Sequence, residues 1–319
     1  MKNGALIPLS DVAADARDLV KAFRDNGEIS SQDLTLEEAR ENYRISCAAS
    51  QIKVNAKLVV TDFECPVSGG TIRLRRYSKG DDTPRPLLLY LHGGGWVIGD
   101  LNTHDGICRY MAKKTSANVV AVDYRLSPEY TFPVPYQDCV EALRWLSKNQ
   151  SALKLDCSRT IVMGDSAGGN MATVLANEKN IPENVKIICQ ILLYPVTDLT
   201  ASSASYKKIT QGFSLTDKTM YWFRQNYVPK EIDLRDRRLS PLFHNHVKQP
   251  AMFIVTVGLD PLVDEGCDYA NVAAKSGTEL EHHHLPQHMH GMFTSAGKIK
   301  TAKKLLKRAA HFIEERFSS

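Results

Sequence analysis

The stretch Gly164-Asp165-Ser166-Ala167-Gly168, preceded by an apolar run at 160–163 and followed by a helix-compatible run at 169–177, decides the reading of this 319-residue chain. Between a strand and a helix, a GxSxG pattern predicts a turn so sharp that the residues beside the serine must be small, and that turn lifts the serine hydroxyl above the end of a sheet. The plainer alternative is a glycine-rich turn whose serine caps a helix. Similar short apolar runs recur at 87–91, 118–122, 187–193 and 252–257, separated by amphipathic segments of helix length. Runs buried on both faces and joined by helices predict a mostly parallel, doubly wound α/β sheet.

Outward from this core, residues 58–63 and 71–77 alternate β-branched or aromatic residues with polar ones around Ser68-Gly69-Gly70, which predicts an antiparallel edge hairpin. Residues 1–55 are polar and helix-favouring, with periodic apolar positions over 11–24 and 36–49. They are assigned as N-terminal cap helices, and residues 56–319 as the main domain. A polar interruption at about 200–245, carrying Phe213, Tyr221, Trp222, Phe223 and Tyr227, is assigned as a helical cap inserted over the sheet. Near the C-terminus, Ile299, Ala302, Leu305, Leu306, Ala309 and Phe312 describe one face of a terminal helix, so its many basic residues form the solvated face.

The formal net charge of +4 is spread among acids without a basic stripe, which argues against nucleic acid as a partner. Seven cysteines, an odd number without a CxxC pair, predict reduced thiols. With no apolar run near the ~18 residues that span a bilayer and no apolar core in the first ten residues, a soluble cytoplasmic protein is expected. Monomer and homodimer are both left open.

A serine hydroxyl is a poor nucleophile at neutral pH and needs a base, itself oriented by an acid. In the α/β-hydrolase order, which this strand, turn and helix resemble, the acid follows at the end of a late strand and the base in a loop before the last helix. Asp260 and His290 occupy those positions. Asp264 and Glu265 come just after Asp260, yet beyond Pro261 they suit the first turn of a helix, where acids meet the positive end of the dipole. His288 is the nearest rival base. The run His282-His283-His284 alternates faces on a strand and cannot converge on one ion, so no metal is expected. His92-Gly93-Gly94-Gly95-Trp96 follows an apolar strand, and bare glycines let backbone N–H groups approach a developing oxyanion. Gly93, Gly94 and Ala167 are assigned as its donors. A phosphate-binding loop fits less well, because neither GxGxxG nor Gly-Lys-Ser/Thr is present.

With those residues in view, the chain resembles the hormone-sensitive-lipase-like family of α/β-hydrolases, and within it bacterial acetyl esterases. The resemblance rests on His92-Gly93-Gly94-Gly95-Trp96, Asp123-Tyr124-Arg125-Leu126-Ser127-Pro128-Glu129, Gly164-Asp165-Ser166-Ala167-Gly168-Gly169, Asp260-Pro261-Leu262-Val263-Asp264-Glu265-Gly266 and His290-Gly291-Met292-Phe293. It covers the chain from about residue 87 onward. It implies an α/β-hydrolase fold, a Ser166, Asp260 and His290 triad, oxyanion donors at Gly93, Gly94 and Ala167, no cofactor, and a small ester of short acyl chain as substrate. It also implies that the stretch 123–129 supports the oxyanion loop from beneath, with buried charge pairing and no catalytic step for Asp123 or Glu129, and it favours His290 over His288, with Met292 a small departure. Trp96, Tyr221 and Phe223 are assigned to a shallow acyl pocket, with the cap's own core as the alternative place for these aromatics. Amide hydrolysis, as in an arylformamidase, and a non-catalytic small-molecule receptor are the competing functions.

Overall fold

In the computed structural model, which describes residues 5–81, 83–244 and 247–317, the helices α1 (Arg17–Asp25) and α2 (Leu36–Ser50) precede the edge strands β1 (Val59–Val67) and β2 (Gly70–Ser78). Then follow β3 (Arg85–Leu91), α3 (Asp105–Lys114), β4 (Asn118–Asp123), α4 (Val134–Lys148), β5 (Leu155–Asp165), α5 (Ala167–Ala176) and β6 (Ile187–Leu193). The chain closes with α6 (Ala204–Lys208), α7 (Asp217–Tyr227), β7 (Ala251–Leu259), α8 (Val263–Lys275), β8 (Leu280–Met289) and α9 (Lys300–Phe317).

The strands form one sheet in the order β1-β2-β4-β3-β5-β6-β7-β8. β1 and β2 pair antiparallel at its edge, β2 runs antiparallel to β4, and every pairing from β4 to β8 is parallel. All five apolar runs singled out in the sequence lie in these parallel strands. Their side chains alternate between two cores, as a pleated strand requires. Leu87, Leu89 and Leu91 join a cluster with α4 and α5, whereas Leu88 and Tyr90 join one with α3 and α9. α9 buries Ala302, Leu305, Leu306, Ala309 and Phe312, the face expected from its period.

Two capping boxes place the helices nearest the site. Thr35 accepts from the Glu38 N–H while Glu38 reaches back, starting α2. Thr216 does the same with Thr219, starting α7. α2 is tied to the loops after β3 and β4 through Arg40, which donates to the Val97 and Ser127 carbonyls and pairs with Glu129 at 2.7 Å. The segment assigned as an inserted cap contributes α6 and α7, and Asn245 at its end lies outside the described residues.

The buried charge pairing expected within the stretch 123–129 falls on Arg125. Asp123 pairs with an exposed Arg73 and Glu129 is half exposed, so both ion pairs sit at the surface. The buried pair of this region is Arg125 with Asp138, at 2.6 Å. All seven cysteines are unpaired thiols. Among the described residues no helix is long and apolar enough to cross a membrane.

Candidate active site

Ser166 stands between β5 and α5 with φ +55° and ψ −120°, a conformation that costs a non-glycine residue about 1–3 kcal/mol and needs fixed surroundings. Those surroundings are present. Its N–H donates to the Leu193 carbonyl at 2.9 Å, and its own carbonyl accepts from Asn170 and Val196. The flanking glycines are demanded by contact, since a Cβ on Gly164 would overlap the Gly168 backbone and one on Gly168 would overlap the Leu91 carbonyl. The pattern read from the sequence is thus a packing requirement of a turn squeezed between two strands.

Asp260 follows β7 and is wholly buried, with one carboxylate oxygen accepting the Leu262 N–H at 2.9 Å. Its other oxygen lies 2.6 Å from Nδ1 of His290, in the loop after β8. Ser166 and His290 line one cavity of about 620 Å³. A carboxylate on Nδ1 leaves Nε2 as the nitrogen able to take a proton from a nucleophile. The rivals lie elsewhere. Asp264 and Glu265 occupy the first turn of α8. Asp264 accepts from the Ser205 N–H, and Glu265 accepts from the N–H groups of Thr197 and Asp198. His288 contacts Asp15 at 3.1 Å.

His282 and His284 share one face of β8 and both contact the Thr256 hydroxyl, at 2.8 and 2.9 Å, while His283 contacts Glu281. Among the described residues no group of three or more His, Cys, Asp or Glu side chains is arranged to hold a metal ion.

The oxyanion assignment needs one correction. Gly93 donates its N–H to Asp165 at 2.9 Å, so that donor is already engaged behind the loop. Gly94 and Gly95 line the cavity instead, with φ of +121° and +58°. A Cβ at Gly94 would strike the Ile98 carbonyl, and one at Gly95 would strike the Phe223 ring. Ala167, the first residue of α5, presents a helix N-terminal N–H without an intrahelical acceptor.

Two pocket assignments are also corrected. Trp96 is wholly buried and stacks on Tyr227, with ring centroids 4.3 Å apart and planes within 5°, so it underpins the loop. Tyr221 is exposed and faces a different cavity on the opposite side of α7, beneath the Arg224 guanidinium. Phe223 does line the cavity with Ser166. Phe213 lines it too, and further wall comes from residues the sequence reading did not single out for the pocket, among them Val20 and Phe23 of α1, Tyr43 and Cys47 of α2, and Tyr194.

Asp165 also escaped that reading. It is buried, accepts from the Tyr90 hydroxyl at 2.8 Å and from Gly93, and lies 3.2 Å from Nε2 of His104. Burial pushes its carboxyl up, but the charge and hydrogen bond of His104, with those of Tyr90 and Gly93, hold it below the ordinary carboxylate range. An acidic residue inside an apolar strand-to-helix turn was the available signal, because such a group needs partners.

A family model described as alpha/beta hydrolase fold matches residues 88–294. The ethyl acetate hydrolase of Pseudomonas putida is 33% identical over 291 residues, 89% of this chain and 92% of the relative. Carboxylic ester hydrolase LipN of Mycobacterium tuberculosis is 37% identical over 266 residues, 79% of this chain and 69% of the relative. Among solved structures, an esterase of Pyrobaculum calidifontis matches with a TM-score of 0.84 at 29% identity, covering 97% of this chain and 100% of that one. An ester hydrolase from the metagenome of Lake Arreo, in complex with a bipyridine phosphonate derivative, matches at 0.87 and 33% identity, with coverage of 97% and 100%.

Proposed function

The chain belongs to the hormone-sensitive-lipase-like family of α/β-hydrolases and is a carboxylesterase, and from that premise we propose that it hydrolyses short-chain acyl esters, acetyl to about hexanoyl, with Ser166, Asp260 and His290 as its triad. The observation that carries the proposal is the 2.6 Å contact of Asp260 with Nδ1 of His290 beside a strained Ser166 in one cavity.

His290 takes the Ser166 proton through Nε2, the Ser166 oxygen attacks the ester carbonyl, and the tetrahedral oxyanion accepts from the N–H groups of Gly94, Gly95 and Ala167. Collapse of this intermediate breaks the bond to the alcohol oxygen, which leaves with the proton from the imidazolium. Water then attacks the acyl-enzyme by the same route, releasing the acid and restoring Ser166. Asp260, 2.6 Å from Nδ1 of His290, fixes the imidazole tautomer.

The helices α1 and α2 and the inserted segment act as a cap in this reading, since Val20, Phe23, Leu215 and Phe223 wall the cavity with apolar surface. A small ester is the partner, and the free thiols suit a cytoplasmic setting.

Hydrolysis of p-nitrophenyl esters from acetate to laurate, with Ser166→Ala alongside, tests the proposal. Turnover peaking at acetate to hexanoate and abolished by Ser166→Ala is the expected result. Turnover that survives Ser166→Ala, or that rises toward laurate, overturns it.

A further inference from the structure

We propose that Tyr194 is a positioning residue for the hydrolytic step, holding the His290 imidazole against Asp260 and stabilising its protonated form with the face of its ring. The inference rests on the reading of His290 as the base.

Three observations converge on Tyr194. Its ring centroid lies 4.2 Å from that of His290 with planes at 42°, too close for an edge-to-edge meeting and within the range over which an aromatic face attracts a cation. Its hydroxyl accepts the Phe293 N–H at 3.3 Å, anchoring the loop that carries His290 from a strand on the other side of β7. Its backbone has φ +39°, a conformation bulky residues avoid, and its N–H is held by the Val255 carbonyl at 2.7 Å. Strain fixed at one residue beside a reacting group is how a fold sets a side-chain direction that packing alone would not choose. The ring is buried and burial raises the Tyr194 hydroxyl well above its ordinary value, so Tyr194 stays neutral while His290 cycles through its cation.

The charged and titratable groups around this ring pair come from several elements. Asp260 approaches from the end of β7, Asp165 from β5, Cys47 and Tyr43 from α2, and Lys298 from the segment before α9. The Cys47 thiol is pushed up to about 12 by burial, burial also raises the Tyr43 hydroxyl well above its ordinary value, and Asp165 is held below the ordinary carboxylate range. None of these three titrates where an imidazole does.

The test is a series at position 194 in the full chain: Tyr194→Phe as reference, and pentafluorophenylalanine at the same position, which keeps the ring's shape while reversing the charge of its face. Circular dichroism and ester KM check that fold and binding persist. Between reference and fluorinated variant, kcat/KM is expected to fall about threefold to tenfold, with KM unchanged and the acid limb of the pH profile moved down by about half a unit to one unit. The direction follows because a ring face that no longer stabilises the cation lets imidazole lose its proton at lower pH. Equal rates and superimposable acid limbs for the two variants overturn the proposal. His290→Ala separates the levels. If it is inactive while the fluorinated variant is unchanged, only the role of Tyr194 falls; if it keeps hydrolysing ester, the assignment of the base falls too.

Discussion

Replacing Asp165 by leucine removes one acceptor from beneath the oxyanion loop and strands three buried donors at once. The Tyr90 hydroxyl, the Gly93 N–H and the His104 Nε2–H all point at this carboxylate. Each buried donor left without a partner costs about 1–3 kcal/mol, so the loss is about 3–9 kcal/mol against a typical total stability of about 5–15 kcal/mol. Asp165→Asn keeps an oxygen where Tyr90 and Gly93 donate, and loses the charge that faces His104. Its expected cost is about 2–3 kcal/mol, the share carried by charge-assisted bonds. Urea unfolding followed by tryptophan fluorescence measures both, and p-nitrophenyl butyrate turnover reports whether the loop still holds its donors.

The folded carboxyl is held below its ordinary value. A depressed folded value gives stability that is present above the unfolded value and is lost as pH falls through the folded one. The gap between parent and Asp165→Asn is therefore full at pH 7 and starts to close as pH drops through about 4. A leucine variant as stable as the asparagine variant would refute the three-donor argument. A gap of the same size at pH 7 and pH 3.5 would refute the charge argument.

Gly94→Ala should fold but lose about a hundredfold in kcat/KM, because its Cβ meets the Ile98 carbonyl and the loop must move its N–H away from the oxyanion; near-normal turnover would show that the loop tolerates the shift. Burial pushes Glu265 well above the ordinary carboxylate range, against the pull of the Thr197 and Asp198 N–H groups. A raised folded value means stability present below the unfolded value and lost as pH climbs through the folded one. Glu265→Gln should accordingly gain thermal stability over the parent as pH rises from about 4 upward, and a difference that stays flat from about pH 4 to pH 9 would count against it. Trp96→Phe should leave the ratio of acetate to hexanoate turnover unchanged, since the indole stacks on Tyr227 away from the cavity and its buried Nε1 has no partner to lose; an altered ratio would return Trp96 to the pocket wall.

What the sequence made legible was whatever depends on near neighbours in the chain. The parallel strands show as short apolar runs because both faces are buried, and the turn at Ser166 shows as glycine and alanine because its own backbone leaves no room for Cβ atoms. Hidden features depend on partners far along the chain. Asp165 meets His104, Gly93 and Tyr90 across 61, 72 and 75 residues, and nothing local says which of them it clamps. The same distance misled the assignment of Gly93, whose N–H looks free until Asp165 is seen behind it. For the aromatics, composition gave the cluster but not the side. α7 turns Phe223 toward the cavity and Tyr221 away, a difference of two positions, or about 200° around a helix.

These hidden contacts share one arrangement. Each chemical group proposed for the reaction is carried by a short segment and braced by a residue from another part of the sheet. The oxyanion loop is held from behind by Asp165, the His290 loop by Tyr194 and Asp260, and the turn at Ser166 by the Leu193 carbonyl. β5 and β6 lie side by side in the middle of the sheet and supply three of these four braces, Asp165 from the end of one and Leu193 and Tyr194 from the end of the other. Substitutions at this pair of strand ends should therefore disturb turnover more than their cost in stability suggests.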